Sequence, residues 1–586
     1  MRKISLIMMC LFTVIGWSQN NSQKKDTVKT EVVEIETKYN PKIADAKKIK
    51  QQPKVSILKG SKRKTLKYNI FSVPVASTFT PKTGVVKGID VGVKERLYNN
   101  FLALGYGNYN SPYAEFYMHH NTRFSNSFGL HLKYNASLEN IGGTALNSGF
   151  SDTYSKIFYR QEERFFDWKV SLSAQRSEFN WYGLPAINFS QFVIDRIEEQ
   201  QQYNQFNLQG EVNFVDSKLD HVHADIQYFN DQFGSSELFG TGLANFKFPV
   251  DFLVRNYNEL EVLTGLDYLI GGFDQSYSGS NTQKYQFLNL HAKPSYQFML
   301  GNASFQLGTK IFLALDIEND LQHFLIYPDV RFQFPLVKDA LSIYGGATGD
   351  LHTNTYQNFA SENPFVSPTL FMTQTNEQLN LFGGISALVT NRISFHFKAS
   401  RKTEEDRALF VRNNSKSDGL TVIQNNATLQ GYEFGNSFGV TYDDVTTTSF
   451  LAELEFEASK KLAINGNIRY SIFETTRAAE AWNLAPFEAA IFAKYKNNQW
   501  YASASLNFMG VRKDALYSNT FPSSIVGTQT INGFLDANLN GGYHFNDKFT
   551  VFLKINNFIN GSFQQYTNFN VQGFQATAGL SYKFDF

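Results

Sequence analysis

The C-terminal segment Phe574-Gln-Ala-Thr-Ala-Gly-Leu-Ser-Tyr-Lys-Phe-Asp-Phe586 alternates apolar and polar side chains along its whole length. Successive side chains of a β-strand point to opposite faces, so this segment predicts a strand with one apolar wall and one polar wall. The same period of two recurs at 128–137, 205–214 and 535–544. The chain from about residue 99 onward is therefore predicted to be a series of similar strands.

Three features indicate that the apolar walls face lipid rather than a second sheet. The alternating segments are about 10–15 residues long, which suits tilted strands that cross a bilayer. Aromatic residues such as Trp168, Trp500, Phe545 and Phe549 cluster where strands meet turns, as in an interfacial girdle. Short polar turns also alternate with long connections, which is typical of outer-membrane barrels. The short turns are Ser125-Asn126, Asp216-Ser217, Gly301-Asn302, Lys338-Asp339, Asn391-Arg392, Lys460-Lys461, Asn497-Asn498 and Asn546-Asp547, and the long connections lie near 139–149, 185–200, 355–376, 403–446 and 513–530.

Counting strands on either side of these turns gives about 22, within a range of about 18–24. An open sheet edge in lipid would leave backbone groups unpaired, so the sheet must close. The predicted fold class is all-β, a closed antiparallel transmembrane β-barrel over 96–586. The least certain part of the strand count is 403–457, where Phe438 to Tyr442 fits either a strand or a loop.

Composition excludes several other classes of protein. The chain has 586 residues with 54 Lys and Arg against 53 Asp and Glu, so it lacks the basic excess of a nucleic-acid binder. A single cysteine excludes a disulfide framework and a cysteine-based metal centre. Motifs of the Gly-x-Ser-x-Gly, Walker, His-Glu-x-x-His and Rossmann types are absent. We therefore predict a non-enzymatic protein without a cofactor.

The N-terminal part predicts export followed by a basic arm. Residues 1–18 have the positive start, apolar stretch and small-x-small end of a signal peptide. Residues 19–95 form the predicted arm, and its first part, 19–68, carries 14 basic and 5 acidic side chains. Residues 69–586 carry 38 basic and 48 acidic side chains. The arm is either a solvated tail or a segment that docks into an acidic cavity or a periplasmic partner through 24–67.

Two groups of polar residues on the predicted lumenal faces are candidates for binding. Glu453, Glu455 and Glu457 share one face of a strand, and neighbouring strands offer cationic side chains. This charge ladder either pairs structurally across strands or selects a solute. The cationic members are His396, Lys398, Lys402 and Arg469.

His221, His223 and Asp225 share one face of another strand and are the candidates for a metal site. Ordinary lumenal polar residues would show the same spacing, and no metal is the expectation.

The aromatic residues Tyr582, Phe584 and Phe586 resemble the C-terminal signal that directs bacterial outer-membrane barrels to the assembly machinery. With the repeated hairpins and the arm around Tyr39-Asn-Pro-Lys-Ile-Ala-Asp-Ala46, the chain resembles Bacteroidota outer-membrane proteins of the TonB-dependent-receptor-like group. That resemblance implies import through a plugged, 22-stranded barrel in lipid and lipopolysaccharide, energised by a TonB-like complex. The chain departs from the family because only about 80 residues separate the predicted signal peptide from the first strand, too few for the usual plug domain.

The resulting prediction is an outer-membrane protein that binds or passes a solute. The alternative is a non-transporting barrel subunit of an envelope assembly or secretion complex. A barrel this wide is not filled by its own wall side chains, so loops, the arm or another protein must occupy it.

Overall fold

The computed structural model describes residues 98–122, 125–250, 259–278, 282–424, 426–518 and 523–585. The predicted signal peptide (1–18), the predicted arm (19–95) and Phe586 lie outside these residues. Strands are numbered β1–β28 along the chain, and 22 of them form one sheet. The barrel strands are β1 (Asn100–Gly107), β2 (Ser111–Asn121), β3 (Asn126–Ser137), β4 (Phe150–Glu162), β5 (Phe166–Asn180), β6 (Gln200–Phe214), β7 (Leu219–Asp231), β8 (Ser236–Pro249), β9 (Glu259–Phe273), β10 (Gln283–Leu300), β11 (Ala303–Asp316), β12 (Leu321–Val337), β13 (Leu341–His352), β14 (Thr375–Thr390), β15 (Ile393–Arg412), β18 (Phe438–Ser459), β19 (Leu462–Thr475), β20 (Phe487–Lys496), β21 (Trp500–Met509), β24 (Phe534–His544), β25 (Phe549–Asn556) and β28 (Gln575–Phe584).

The remaining described elements lie in connections between barrel strands. Three small hairpins pair β16 (Ile423–Gln424) with β17 (Ala427–Thr428), β22 (Arg512–Tyr517) with β23 (Ile525–Ile531), and β26 (Gln564–Tyr566) with β27 (Phe569–Asn570). Two short helices span Gln191–Ile194 and Tyr356–Glu362. Within the described ranges, no helix is long and apolar enough to cross a membrane.

The sheet closes on itself. Each barrel strand pairs antiparallel with the next one, and β1 pairs antiparallel with β28 from Asn100↔Phe584 to Gly107↔Thr577. This closure confirms the predicted barrel of 22 antiparallel strands. It also leaves no unpaired edge in the sheet.

The two faces of the wall differ as the alternation predicts. On β6, Phe206 and Leu208 point outward and are 48% and 45% exposed. Between them and beside them, Gln205, Asn207 and Gln209 point into the lumen. The barrel therefore carries an apolar outer belt and a polar inner wall.

Most connections at one end of the barrel, called the turn rim, are short turns, and the longest connections join the strands at the other end, called the loop rim. The predicted short turns lie at the turn rim. The connection expected over 403–446 is shorter than predicted, because β15 continues to Arg412 and β18 begins at Phe438. These strand ends carry polar side chains on both faces, which conceals the period of two. The main connections of the loop rim are 138–149, 181–199, 353–374, 413–437, 476–486, 510–533 and 557–574.

Candidate functional site

The connections of the loop rim fold inward and close the upper end of the barrel. We call the segments 181–199, 353–374, 413–437 and 557–574 the lumenal cap. Its buried side chains pack against aromatic residues that the upper strands point into the lumen. The wall contributes Tyr203, Phe229, Leu269, Phe273, Tyr285, Phe287, Phe410 and Phe438, and the cap contributes Trp181, Tyr356, Phe359, Ala360, Phe365, Val366, Leu370, Met372, Tyr432, Tyr566 and Phe569.

The packing at the centre of the cap is that of a soluble protein's core. The rings of Phe365 and Phe569 stack with their centroids 3.8 Å apart. The Tyr356 ring meets Phe273 edge-on at 4.9 Å and Phe229 at 5.1 Å. Each buried aromatic side chain removes a large apolar surface from water, so the closed position of the cap is strongly favoured.

A buried carboxylate from the wall holds the helix Tyr356–Glu362 in place. Glu237, on β8, accepts hydrogen bonds from the backbone N–H of Tyr356 at 2.7 Å and of Gln357 at 3.3 Å. The Tyr285 hydroxyl also donates to Glu237, at 2.8 Å. A negative group suits this end of a helix, where backbone N–H groups lack partners within the helix. The helix is therefore anchored to the wall through its first turn.

Further polar contacts join segments of the cap to one another and to the wall. The Trp181 indole N–H donates to the carbonyl of Phe365 at 3.1 Å, and the Tyr203 hydroxyl donates to that of Pro364 at 3.0 Å. The Tyr356 hydroxyl donates to the carboxylate of Asp231, on β7, at 2.9 Å. Buried polar groups are costly without partners, so these contacts specify one docked position.

The hairpin β22–β23 docks beside the cap through a buried acid. The Asp514 carboxylate accepts hydrogen bonds from the Thr567 hydroxyl at 2.5 Å and from the Arg412 backbone N–H at 3.2 Å. Burial raises the pKa of the Asp514 carboxyl, although the nearby Arg412 guanidinium acts in the opposite direction. The neutral acid is thus favoured more strongly in the docked hairpin than in water.

The connection 476–486 also folds inward. Trp482 is buried with Leu409 of β15 and Val445 of β18. The Asp443 carboxylate accepts the backbone N–H groups of Arg477 and Ala478 at 2.9 Å and 2.8 Å. Apolar packing and hydrogen bonds therefore fix this connection to β15 and β18.

The predicted charge ladder assembles only in part. His396 approaches Glu453 with Nδ1 to Oε2 at 3.0 Å, and the Ser394 hydroxyl donates to Glu455 at 3.1 Å. The register places Lys398 opposite Leu451, so the expected Lys–Glu rungs do not form.

The other members of the ladder lie at different heights. Lys402 is opposite Thr447, and Glu457 is opposite Ala463, close to the turn rim. Arg469 pairs instead with Glu488 on β20, at 3.4 Å. The three glutamates are thus separated along the wall from most of the cations.

The candidate metal ligands lie on one wall and bind neighbouring amides. His221 Nδ1 is 2.6 Å from the Asn213 side-chain oxygen, and the Asp225 carboxylate accepts from Gln209 at 2.7 Å. The rings of His221 and His223 stack at 6.3 Å. Among the described residues, no group of three or more His, Cys, Asp or Glu side chains is arranged to hold a metal ion.

The final strand carries two of the three residues of the predicted assembly signal. Tyr582 and Phe584 lie on β28, where their rings stack at 5.8 Å. Their role in assembly stays a prediction.

Sequence reasoning did not identify the cap residues. A signal was present on the upper strands, where aromatic residues change from the outward to the inward phase. On β7, Tyr228 points outward and is 40% exposed, whereas the adjacent Phe229 points inward and is buried. This change of phase marks where the apolar belt ends and the cap begins.

No family model and no curated protein matches the chain. Solved structures do share its fold. The siderophore receptor PirA from Acinetobacter baumannii has a TM-score of 0.61 at 10% identity, over 84% of this chain and 81% of that chain. The pyoverdine outer membrane receptor FpvA from Pseudomonas aeruginosa has 0.61 at 11% identity, over 84% and 79%. The FrpB iron transporter from Neisseria meningitidis has 0.62 at 9% identity, over 84% and 83%. At these identities the likeness establishes the barrel fold.

Proposed function

We propose that this protein is an outer-membrane transporter of the receptor type, which binds a solute and passes it through a gated barrel. The observation that carries the proposal is the lumenal cap, which closes the loop rim from inside and is anchored to the wall by Glu237. An open pore would need no such packing. A gate needs a closed position specified by discrete contacts that a bound solute can shift.

The orientation follows from the general build of these barrels. Short turns face the periplasm and long connections face the exterior, so the cap lies on the outer side. Lipid and lipopolysaccharide contact the apolar belt, and the aromatic end of β28 directs the chain to the assembly machinery.

Energy coupling belongs to the same proposal. Residues 19–95 serve as a periplasmic or lumenal arm in place of a full plug domain, as in a Bacteroidota relative of the plugged receptors. Its basic part, 24–67, contacts a periplasmic partner, and a TonB-like complex supplies the energy. The support for the arm and its contacts is the charge difference between 19–68 and the rest of the chain. The support for energy coupling is the barrel fold shared with siderophore receptors such as PirA.

The dense packing of the cap favours one alternative, a non-transporting barrel subunit of an envelope assembly. Stacked aromatic rings such as Phe365 and Phe569 are also what a permanently shut lumen would show. In that case the loops bind partner proteins and no solute passes.

Swelling of liposomes that contain the purified full-length protein separates the two functions. We expect slow solute entry for the wild type and faster entry for Glu237→Ala, which releases the helix Tyr356–Glu362. A matched control is Glu455→Ala, a lumenal acid that lies away from the cap. Absence of solute entry for both the wild type and Glu237→Ala, with the barrel correctly folded, would reject the transporter.

A further inference from the structure

A recess of about 350 Å³ opens into the lumen between β14 and β20, beneath the connection 476–486. Its size lies at the lower end of the range for ligand pockets, about 300–1,000 Å³. Four cationic side chains line it. They are Lys398, Lys402, Arg407 and Arg469.

Three of these cations are already matched by carboxylates. Lys402 and Arg407 both contact the buried Glu404, with N–O distances of 2.8 Å and 2.9 Å. Lys402 also lies 3.9 Å from Glu377, a further carboxylate that lines the recess. Arg469 lies 3.4 Å from Glu488. These pairs fix the positions of the side chains and leave little positive charge unbalanced.

Lys398 is different. Within the part of the chain that the structure describes, no carboxylate lies within ion-pair distance of its ammonium group. The ammonium lies 4.7 Å from the centre of the Phe382 ring, which orients it without neutralising it. Lys398 is therefore the cation that is available to a ligand.

The floor of the recess is rich in hydroxyl groups. Ser400, Ser449 and Ser471 line it, and the last two lie 3.0 Å apart through their hydroxyls. The Arg407 guanidinium donates to the Thr447 hydroxyl at 2.9 Å. Hydroxyl groups donate readily to carboxylate and phosphate oxygens, so the floor complements the charge of Lys398.

The roof is apolar. Leu484 and Ala485, from the connection 476–486, cover one side of the recess, and buried Trp482 holds this connection against the wall. A roof of this kind limits access of water. Electrostatic attraction between a cation and an anion is stronger in such a setting than in open solvent.

We propose that this recess binds a small oxyanion, a solute that presents a carboxylate or phosphate group to Lys398 and to the serine floor. The proposal rests on the proposed transport function and names the chemical class of the solute. The paired cations Lys402, Arg407 and Arg469 frame the site, and Lys398 makes the direct contact.

The test is calorimetric titration of the full-length protein in detergent with inorganic phosphate and, separately, with succinate. We expect binding of at least one of the two probes, weakened at least tenfold by Lys398→Met and largely kept by Lys398→Arg. The control is Lys156→Met, which removes a lysine from the polar face of β4 and should leave binding unchanged. The preferred probe identifies phosphate or carboxylate as the recognised group.

The cap could restrict entry to the recess, so the titration is repeated in Glu237→Ala. Equal affinity of the wild type and Lys398→Met, or no binding in either the wild type or Glu237→Ala, would overturn the proposal. Binding that persists in a protein without any solute flux would overturn the transport function and leave the oxyanion site standing. If Lys398→Met loses binding but keeps the solute flux of the wild type, the recess does not lie on the transport path, and its link to the proposed transport function is overturned.

Discussion

The upper and middle parts of the barrel wall use the same strands in opposite ways. On β6, Tyr203 points inward and is 4% exposed, whereas Phe206, three residues later, points outward and is 48% exposed. The upper wall buries its aromatic side chains against the lumenal cap, as a soluble protein does. The middle wall turns its apolar side chains outward. One strand can therefore pass from lipid to the packed cap, provided that its apolar side chains change from the outward to the inward face where the apolar belt ends.

Different interactions stabilise the upper and the middle parts of the wall. In the upper part, aromatic side chains leave water by packing on the cap, so large apolar surfaces and discrete hydrogen bonds determine stability. In the middle part, the outer side chains need only an apolar surrounding, and the inner ones need water or polar partners. Substitutions should therefore have different consequences above and below this boundary.

The largest expected effect is at the cap anchor. Glu237→Ala removes the acceptor of the Tyr356 and Gln357 amides and of the Tyr285 hydroxyl. Leaving these buried groups unpaired should destabilise the closed cap by about 3–5 kcal/mol. Single-channel recording in planar bilayers should then show a higher open probability than in the wild type. Unchanged closure would mean that the aromatic packing alone holds the cap.

A matched pair on β6 tests the boundary of the outer belt. Leu208→Arg places a charge on the outward face and should lower the free energy of unfolding in lipid by about 2–4 kcal/mol. Gln209→Arg, one residue further and inward, should have a much smaller effect. Urea unfolding in liposomes measures both. Equal losses in the two variants would contradict the assignment of the two faces.

The buried acid of the hairpin β22–β23 predicts a dependence on pH. Burial raises the pKa of Asp514 in the docked hairpin, so docking is most stable below the ordinary pKa of aspartate and weakens as the pH rises through the raised value. A spin label at Ser524→Cys should become less mobile as the pH is lowered from neutral towards the ordinary pKa of aspartate.

The control for the pH experiment is Asp514→Asn in the same labelled background. This variant cannot titrate at position 514, so the mobility of its label should vary much less with pH. A pH response of equal size in both proteins would assign the effect to another group.

The smallest effect is expected on the lower wall. Glu453→Gln removes the ion pair with His396, and both side chains are partly exposed to solvent, so the loss of stability should stay below about 1 kcal/mol. Thermal unfolding of this variant should match that of Glu457→Gln, whose glutamate lies nearer the turn rim. A loss as large as that in Glu237→Ala would remove the contrast between the two parts of the barrel.

The barrel fold could be predicted from the amino-acid sequence, whereas most of the candidate functional site could not. The period of two fixes the fold because a strand between lipid and water must alternate, and segments such as 205–214 and 535–544 do so strictly. The short turns could also be predicted, since they contain asparagine, aspartate and glycine. The joining of β1 to β28 then follows from the need to leave no open edge.

The cap could not be derived in this way, because its contacts join residues far apart in the chain. Trp181 donates to the carbonyl of Phe365, and Glu237 receives the amide of Tyr356, and neither pairing has a local pattern. The charge ladder assembles only in part for a related reason. The strand pairing was correct in order, but the register set Lys398 opposite Leu451, and register is not fixed by alternation alone.

The pairing of β1 with β28 has a consequence for biogenesis. Asn100 meets Phe584, so the two strands that complete the barrel are separated by almost the entire described chain. Until the final strand has been synthesised and inserted, the growing sheet must present two edges with unsatisfied hydrogen-bonding groups. Contacts so distant along the chain form slowly, and a product truncated before β28 would remain a template for aggregation.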